Sequence, residues 1–226
     1  FASGRRLDLD VLGAACKAAG VLFCIDAIQS VGAIPFDVAT IQADFVAADG
    51  HKWLLGPEGL GFFYCRAALR DQLKLNQFGW HMLAEPGNYT RTDWSSADSA
   101  RRFEPGSPNM LAIHALDASL AVIEALGVEH IFMKIVEINH YLVDKAEQYG
   151  LARMHDHDLF SHGSGIVTLG CGDHEPEQVW KNLMQKRVVT APRGGGIRFS
   201  PHIHNTEAQV DFAINALAME TSQIKS

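Results

Sequence analysis

Asp49-Gly50-His51-Lys52-Trp53-Leu54-Leu55-Gly56-Pro57 is the stretch on which the fold is read. An apolar run, Phe45 to Ala48, leads into it. A second run, Gly61 to Cys65, follows its glycine-rich turn. A third run, Val21 to Ile25, ends on Asp26. Short apolar runs bounded by turn residues read as buried strands of a sheet covered on both faces. Two such strands deliver an acid and a lysine to one sheet edge. A lysine at the mouth of a buried strand can lose its proton when desolvated and attack a carbonyl. The competing reading is a surface lysine in a hairpin loop, and spacing alone does not separate the two.

Outward from this stretch, helices alternate with strands. Leu7 to Ala19 has a helical apolar period with Gly20 as its stop. Pro35 breaks the segment after Asp26, and Gly56-Pro57-Glu58-Gly59 is turn chemistry. This order predicts an α/β fold with its site outside the carboxyl ends of the strands. Periodicity fails from Gln72 to Pro108, a length of loop that is functional or packed on a partner. Asn109 to Leu126 reads as a helix with Leu111, Ala115, Ala118, Val122 and Ala125 on one face. Val128 to Tyr149 reads as a second long amphipathic helix. Beyond Gly150 the runs at 165–169, 187–190 and 197–200 read as short strands, alternating with helices at 175–186 and 206–220. We therefore expect a large-domain portion over 1–126 and a smaller α+β domain over 127–226.

The composition narrows the function. The chain has 226 residues, 47% hydrophobic and 20% charged, with a formal net charge of -7. No basic cluster supplies the electrostatic footprint of a nucleic-acid binder. No apolar run has the length of a membrane span, and no signal-peptide pattern opens the chain. Cys16, Cys24, Cys65 and Cys171 form no CxxC pair and read as reduced core residues of a cytoplasmic protein. His155-x-His157 and His202-x-His204 have no partner at the spacing of a metal site, so no metal is expected. The chain opens on Phe1-Ala2-Ser3-Gly4-Arg5, and we expect an N-terminal portion to precede it.

Several residues suit one chemistry. Lys52 can form a Schiff base. A carboxylate at Asp26 can keep a pyridine nitrogen protonated, since each charge stabilises the other. A charged pyridinium makes pyridoxal phosphate an electron sink. Gln29 can hydrogen-bond a ring hydroxyl, and His51 can contact the ring phosphate. Arg198, after Gly194-Gly195-Gly196, offers a planar bidentate donor for an α-carboxylate. Each has a plainer reading. Asp26 can cap a turn at Ile28, Gln29 can be surface, the glycines can be a flexible turn, and Arg198 can pair with a structural carboxylate.

The combination resembles the class V aminotransferase family of pyridoxal-phosphate enzymes, which includes cysteine desulfurases, selenocysteine lyases and epimerase-like proteins. The likeness lies in Asp26-Ala27-Ile28-Gln29 followed by Gly50-His51-Lys52-Trp53-Leu54-Leu55-Gly56-Pro57-Glu58-Gly59. Arg102-Phe103-Glu104-Pro105-Gly106-Ser107-Pro108-Asn109 and Ile197-Arg198-Phe199-Ser200-Pro201-His202-Ile203-His204-Asn205-Thr206 are similar to two further family elements. The resemblance implies the C-terminal half of the large domain of a fold-type I enzyme, with a mainly parallel sheet and helices, followed by the smaller domain. It implies Lys52 as the Schiff-base lysine and proton shuttle, Asp26 on the pyridine nitrogen, Gln29 on the ring hydroxyl and His51 near the cofactor. It implies Arg198 on the substrate carboxylate. Ser107 stands where the family has a threonine reaching the cofactor phosphate of the other subunit, which implies a homodimer.

The implied activity is that of an aminotransferase using an α-amino acid and an oxo acid. A cysteine or selenocysteine lyase or desulfurase is the alternative enzyme, and a non-catalytic dimerisation scaffold is the alternative of another class. Three departures bear on the choice. Asp49 stands where desulfurases carry a serine on the phosphate. No cysteine lies between Thr190 and Arg198, where a persulfide would form. The family's N-terminal half of the large domain, with its phosphate amides and ring-stacking aromatic residue, is not in this sequence.

Overall fold

A computed structural model describes residues 1–221. The chain divides into two compact units. One comprises Leu9–Val31 and Phe36–Val122; the other comprises Phe1–Asp8, Gly32–Pro35 and Ile123–Ser226.

In the first unit, helix α1 (Leu9–Ala18) places Asp10 in its first turn and Lys17 in its last, matching the helix dipole. Gly20 takes φ 65° and donates to Lys17, while Val21 donates to Cys16, which closes the helix. Helix α2 (Val38–Ile41) is capped by Asp37, whose side chain accepts from the Ala39 amide. Gly13 lets the two meet, because a Cβ there would lie 1.8 Å from the Ile41 carbonyl oxygen. Strand β1 (Cys24–Asp26) pairs in parallel with β2 (Phe45–Asp49), in the register Cys24 with Phe45 and Asp26 with Ala47. Strand β3 (Gly61–Cys65) returns antiparallel to β2, Asp49 opposite Gly61. The link from Gly50 to Leu60 is too short for a crossover helix, so the chain returns as an antiparallel strand. Ile25, Ala27, Ile41, Ala43, Val46 and Ala48 form the core beneath this sheet.

The apolar run at 21–25 is only partly strand. Val21 and Leu22 precede β1 and are exposed. Asp44 explains where pairing begins: its carboxylate accepts from the Phe23 amide at 2.8 Å and from Arg66 Nε at 2.8 Å. The 72–108 segment is braced rather than periodic. Arg101 donates to the Leu83 carbonyl, Arg70 to the Asp98 carbonyl, and Ala97 to Met82, a fully buried side chain. Helix α3 (Met110–Leu126) starts after Asn109, whose side chain accepts from the Ala112 amide. Its buried positions are Ala112, Leu116 and Ile123, not the stripe expected from sequence; Leu111 and Val122 of that stripe are exposed.

In the second unit, strands β4 (Val167–Leu169), β5 (Ala191–Arg193) and β6 (Gly196–Phe199) form an antiparallel sheet in the order β4-β6-β5. Helices α4 (Val128–Gln148), α5 (Pro176–Gln185) and α6 (Glu207–Thr221) supply its cover. Ile138, Leu142, Leu169, Leu183, Ile197, Ile214 and Leu217 share one core. Each such buried side chain contributes about 1.5–3 kcal/mol. The strand expected at 187–190 is instead the end of a helix. Arg187 takes φ 62°, Val188 donates back to Leu183, and the strand begins at Ala191. Among the described residues no single helix is long and apolar enough to cross a membrane, and no His, Cys, Asp and Glu cluster has metal-holding geometry.

Candidate active site

The parallel pairing of β1 and β2 puts their carboxyl ends side by side. Beyond Asp26 the ladder continues for one bond, Ala27 donating to the Ala47 carbonyl at 2.8 Å. Ser30 and Val31 then donate to Ala27 and turn the chain. Beyond Asp49, Gly50 donates to Leu60, Gly56 to Gly50, and Leu55 to Lys52 at 3.1 Å, which closes the lysine-bearing turn. Leu55 is held at φ 57°, a left-handed conformation costing a non-glycine residue about 1–2 kcal/mol. Helix α3 secures it: Ser119 Oγ donates to the Leu55 carbonyl at 2.9 Å. Gly56 lets Leu116 pack close, since a Cβ would lie 2.6 Å from Leu116 Cδ1 and displace it.

The polar groups on these loops fall into two classes, engaged and unengaged. Asp26 is exposed rather than buried, because in this chain little covers the end of β1. Its Oδ1 accepts from the Ile28 amide at 3.1 Å, the turn cap weighed against the cofactor role; Oδ2 has no hydrogen bond among the described residues. Gln29 is half-buried, and its Oε1 accepts the indole N–H of Trp53 at 3.0 Å. That bond joins the loop after β1 to the residue beside Lys52. Lys52 is half-buried, and its Nζ has neither a hydrogen bond nor a carboxylate within 4.0 Å among the described residues. His51 Nδ1 lies 3.8 Å from Asp49 Oδ2, so the unexpected acid is turned toward its own neighbour.

Ser107 is on a different segment from the residues of this edge. It is exposed on the rim of a cavity of about 560 Å³ lined by Leu60, Glu104, Asn109, Leu116 and Asp117, a set without Lys52. Arg198 belongs to the other unit, on the central strand β6 between Thr168 and Ala191. Its Nη1 donates to the Phe1 carbonyl at 3.2 Å. Its Nε is buried without a partner. No carboxylate lies within 4.0 Å of it among the described residues, so the structural ion pair weighed from sequence is not there. Burial, and then the charge of Arg193, push its guanidinium below the usual range.

Three residues that matter to the lysine turn were not singled out from sequence: Trp53, Leu55 and Ser119. Trp53 had a signal, as a large side chain with one donor directly beside the lysine. Ser119 had none, since its role depends on how α3 packs. Among the thiols, Cys65 and Cys171 are buried and burial raises both; Cys24 is exposed, contrary to the core placement expected for it, because its position on β1 faces outward.

Comparison with known proteins agrees with this arrangement. A family model described as aminotransferase class-V matches residues 2–212. An uncharacterized aminotransferase of Bacillus subtilis, YcbU, is 31% identical over 223 residues, covering 98% of this chain and 57% of YcbU. A probable cysteine desulfurase of Methanothermobacter thermautotrophicus is 28% identical, covering 92% of this chain and 55% of its own. The apo structure of a cysteine desulfurase from Thermococcus onnurineus superposes with a TM-score of 0.86 at 23% identity, covering 97% of this chain and 56% of that one. The chain thus spans somewhat over half the length of the curated relatives it matches. The fold is that of fold-type I pyridoxal-phosphate enzymes, pyridoxal 5'-phosphate is the family's cofactor, and the chain belongs to the class V aminotransferase family.

Proposed function

We propose that this chain carries the lysine-bearing part of the active site of a pyridoxal-phosphate enzyme acting on an α-amino acid, and that the reaction is transamination. The observation that carries this reading is Lys52. A half-buried lysine with no hydrogen-bond or ion-pair partner among the described residues stands at the carboxyl end of a parallel strand pair, braced by a strained turn. A solvating surface lysine needs no such bracing.

The donor set fits the cofactor. When bound, pyridoxal phosphate supplies an electron-withdrawing ring that stabilises negative charge at the substrate α-carbon. Asp26 has one carboxylate oxygen to spare for the ring nitrogen. Gln29 has its amide N–H₂ to spare for the ring hydroxyl. Lys52 holds the cofactor covalently and moves the proton at the α-carbon. His51, braced near Asp49, sits beside the lysine on the cofactor's side of the turn in this reading. Arg198 takes the α-carboxylate, which supplies the anion its environment lacks. Ser107 reaches a cofactor phosphate across a homodimer; its exposure leaves its hydroxyl accessible for that role. We place the protein in the cytoplasm, on its free thiols.

A second reading, a cysteine or selenocysteine lyase or desulfurase, is favoured by the name of the Methanothermobacter relative. The persulfide form of that chemistry needs an accessible thiolate. The hairpin from Arg193 to Gly196 has no cysteine, and Cys171 is buried with its thiol raised. That leaves elimination without a thiol on this hairpin as the competitor. A screen of amino acids, with and without an oxo acid, on the complete protein decides. Transamination requires the oxo acid and yields a new amino acid. Sulfide released from cysteine with no acceptor present overturns the proposal in favour of the lyase. Absence of any turnover together with stable self-association would support the scaffold reading.

A further inference from the structure

Trp53 immediately follows Lys52, and its side chain is buried, with 5% of its surface exposed. The indole N–H points at Gln29 Oε1 from 3.0 Å. An indole N–H only donates, whereas a glutamine amide has one accepting and one donating end. The atom facing Trp53 is therefore the amide oxygen, on chemical grounds alone. The N–H₂ end is left as the group that Gln29 presents elsewhere, and it has no hydrogen-bond partner among the described residues.

We infer that Trp53 is a positioning residue for the cofactor: it fixes the amide of Gln29 so that Nε2, and not Oε1, faces the ring oxygen. This rests on the proposed reading of Gln29. The physical consequence is specific. A donor aimed at the ring oxygen favours its ionised form, and an acceptor there disfavours it. Without the indole, the amide is free to rotate by half a turn and present its oxygen, setting two acceptors against each other. The same bond ties the loop after β1 to the lysine turn, so it sets both the spacing of Gln29 from Lys52 and the polarity of what Gln29 offers.

The test uses the complete protein and pyridoxal phosphate as the probe. Trp53→Phe keeps an aromatic ring in the buried slot and removes the donor along with part of the ring volume, so stability falls in either case and the pH transition is the deciding readout. We expect it to weaken pyridoxal phosphate binding about 2–10-fold, the worth of one ordinary hydrogen bond. We also expect the pH at which the visible absorbance of the lysine-linked cofactor changes to move upward. Gln29→Leu moves it in the same direction, and adding Trp53→Phe to Gln29→Leu gives no further shift. Gln29→Glu, which leaves Trp53 intact, turns an acceptor toward the ring oxygen and moves the transition furthest. A tryptophan that only fills space would lower thermal stability and leave the pH transition in place; that result, or additive shifts in the double variant, overturns the inference. The two levels of the account separate cleanly. A visible band that is lost in Lys52→Ala but unmoved in Trp53→Phe and Gln29→Glu defeats this inference alone. A band that survives Lys52→Ala defeats the reading beneath it as well.

Discussion

Among the described residues two sheets form, each of three strands, and they are used differently. In the antiparallel sheet, β4 is buried along its whole length and β6 lies in the middle, so its side chains are held from both sides. In the other sheet, β1 and β3 leave Cys24, Asp26, Phe62 and Phe63 exposed. Yet the shallower sheet carries the lysine. Parallel strands send their following loops out at the same edge, which is how Asp26, Gln29, His51 and Lys52 come to share one edge from separate segments. Antiparallel neighbours send theirs to opposite edges. The deeper sheet offers instead a cation on its central strand, Arg198, fixed in place by the strands beside it. One sheet gathers loops, and the other holds one side chain still.

The largest effect that breaks this contrast is Lys52→Ala. It should abolish covalent retention of the cofactor and lower turnover by at least about 10²–10⁴-fold, the range for losing a positioned proton carrier. Its unfolding midpoint in urea should not change, because Lys52 contributes no contact to a core. Leu183→Ala is the converse. It empties a fully buried position beneath the antiparallel sheet and should cost about 2–5 kcal/mol of stability. Denaturant unfolding followed alongside the visible band should show the first moving without the second at low denaturant.

Gly56→Ala sharpens the comparison by touching both structure and site. Its Cβ would press on Leu116 and on the Gly50 carbonyl. Overpacking of this kind costs about 1–3 kcal/mol, and here it displaces the lysine turn, so pyridoxal phosphate affinity should fall in parallel. Unchanged affinity would mean that α3 does not brace the turn.

Asp44 gives a smaller effect with a defined pH dependence. Burial pushes its carboxyl up, but the Phe23 amide and Arg66 outweigh that, and the net position is below the usual carboxylate range. A depressed value in the folded state gives stability that is fully present above about pH 4, the ordinary aspartate value, and is lost as pH falls through the folded value. Asp44→Asn should therefore lower the urea midpoint at pH 7, and the gap to the unmodified protein should close on acidification. The smallest effect concerns thiols. A thiol reagent should modify exposed Cys24 quickly in the native protein and buried Cys171 only on unfolding.

The legibility of each feature in the sequence depends on how local its signal is. The lysine turn and the strands around it were readable because apolar runs cut by glycine and proline are local features. The donor set around Lys52 was readable as residue types, but the spare oxygen of Asp26 and the orientation of Gln29 were not, since they depend on Ile28 and Trp53. Helix α3 is apolar on several faces, so its period did not choose between Leu111 and Leu116; the packing of Leu116 over Gly50 and Gly56 does. The Val188-Val189 run has the composition of a strand, but Arg187 in a left-handed turn spends it on closing α5. The 72–108 segment hid its order because arginine bonds to carbonyls leave no periodic trace.

The central claim is that Lys52 is the residue to which the cofactor is joined. Borohydride reduction of the complete protein loaded with pyridoxal phosphate, followed by peptide mapping, tests it most directly. The account predicts the reduced cofactor on the peptide bearing Asp49-Gly50-His51-Lys52, at Lys52 and at no other lysine in stoichiometric amount. Label on another lysine at that level, or no label on a protein that still turns over an amino acid, would contradict it.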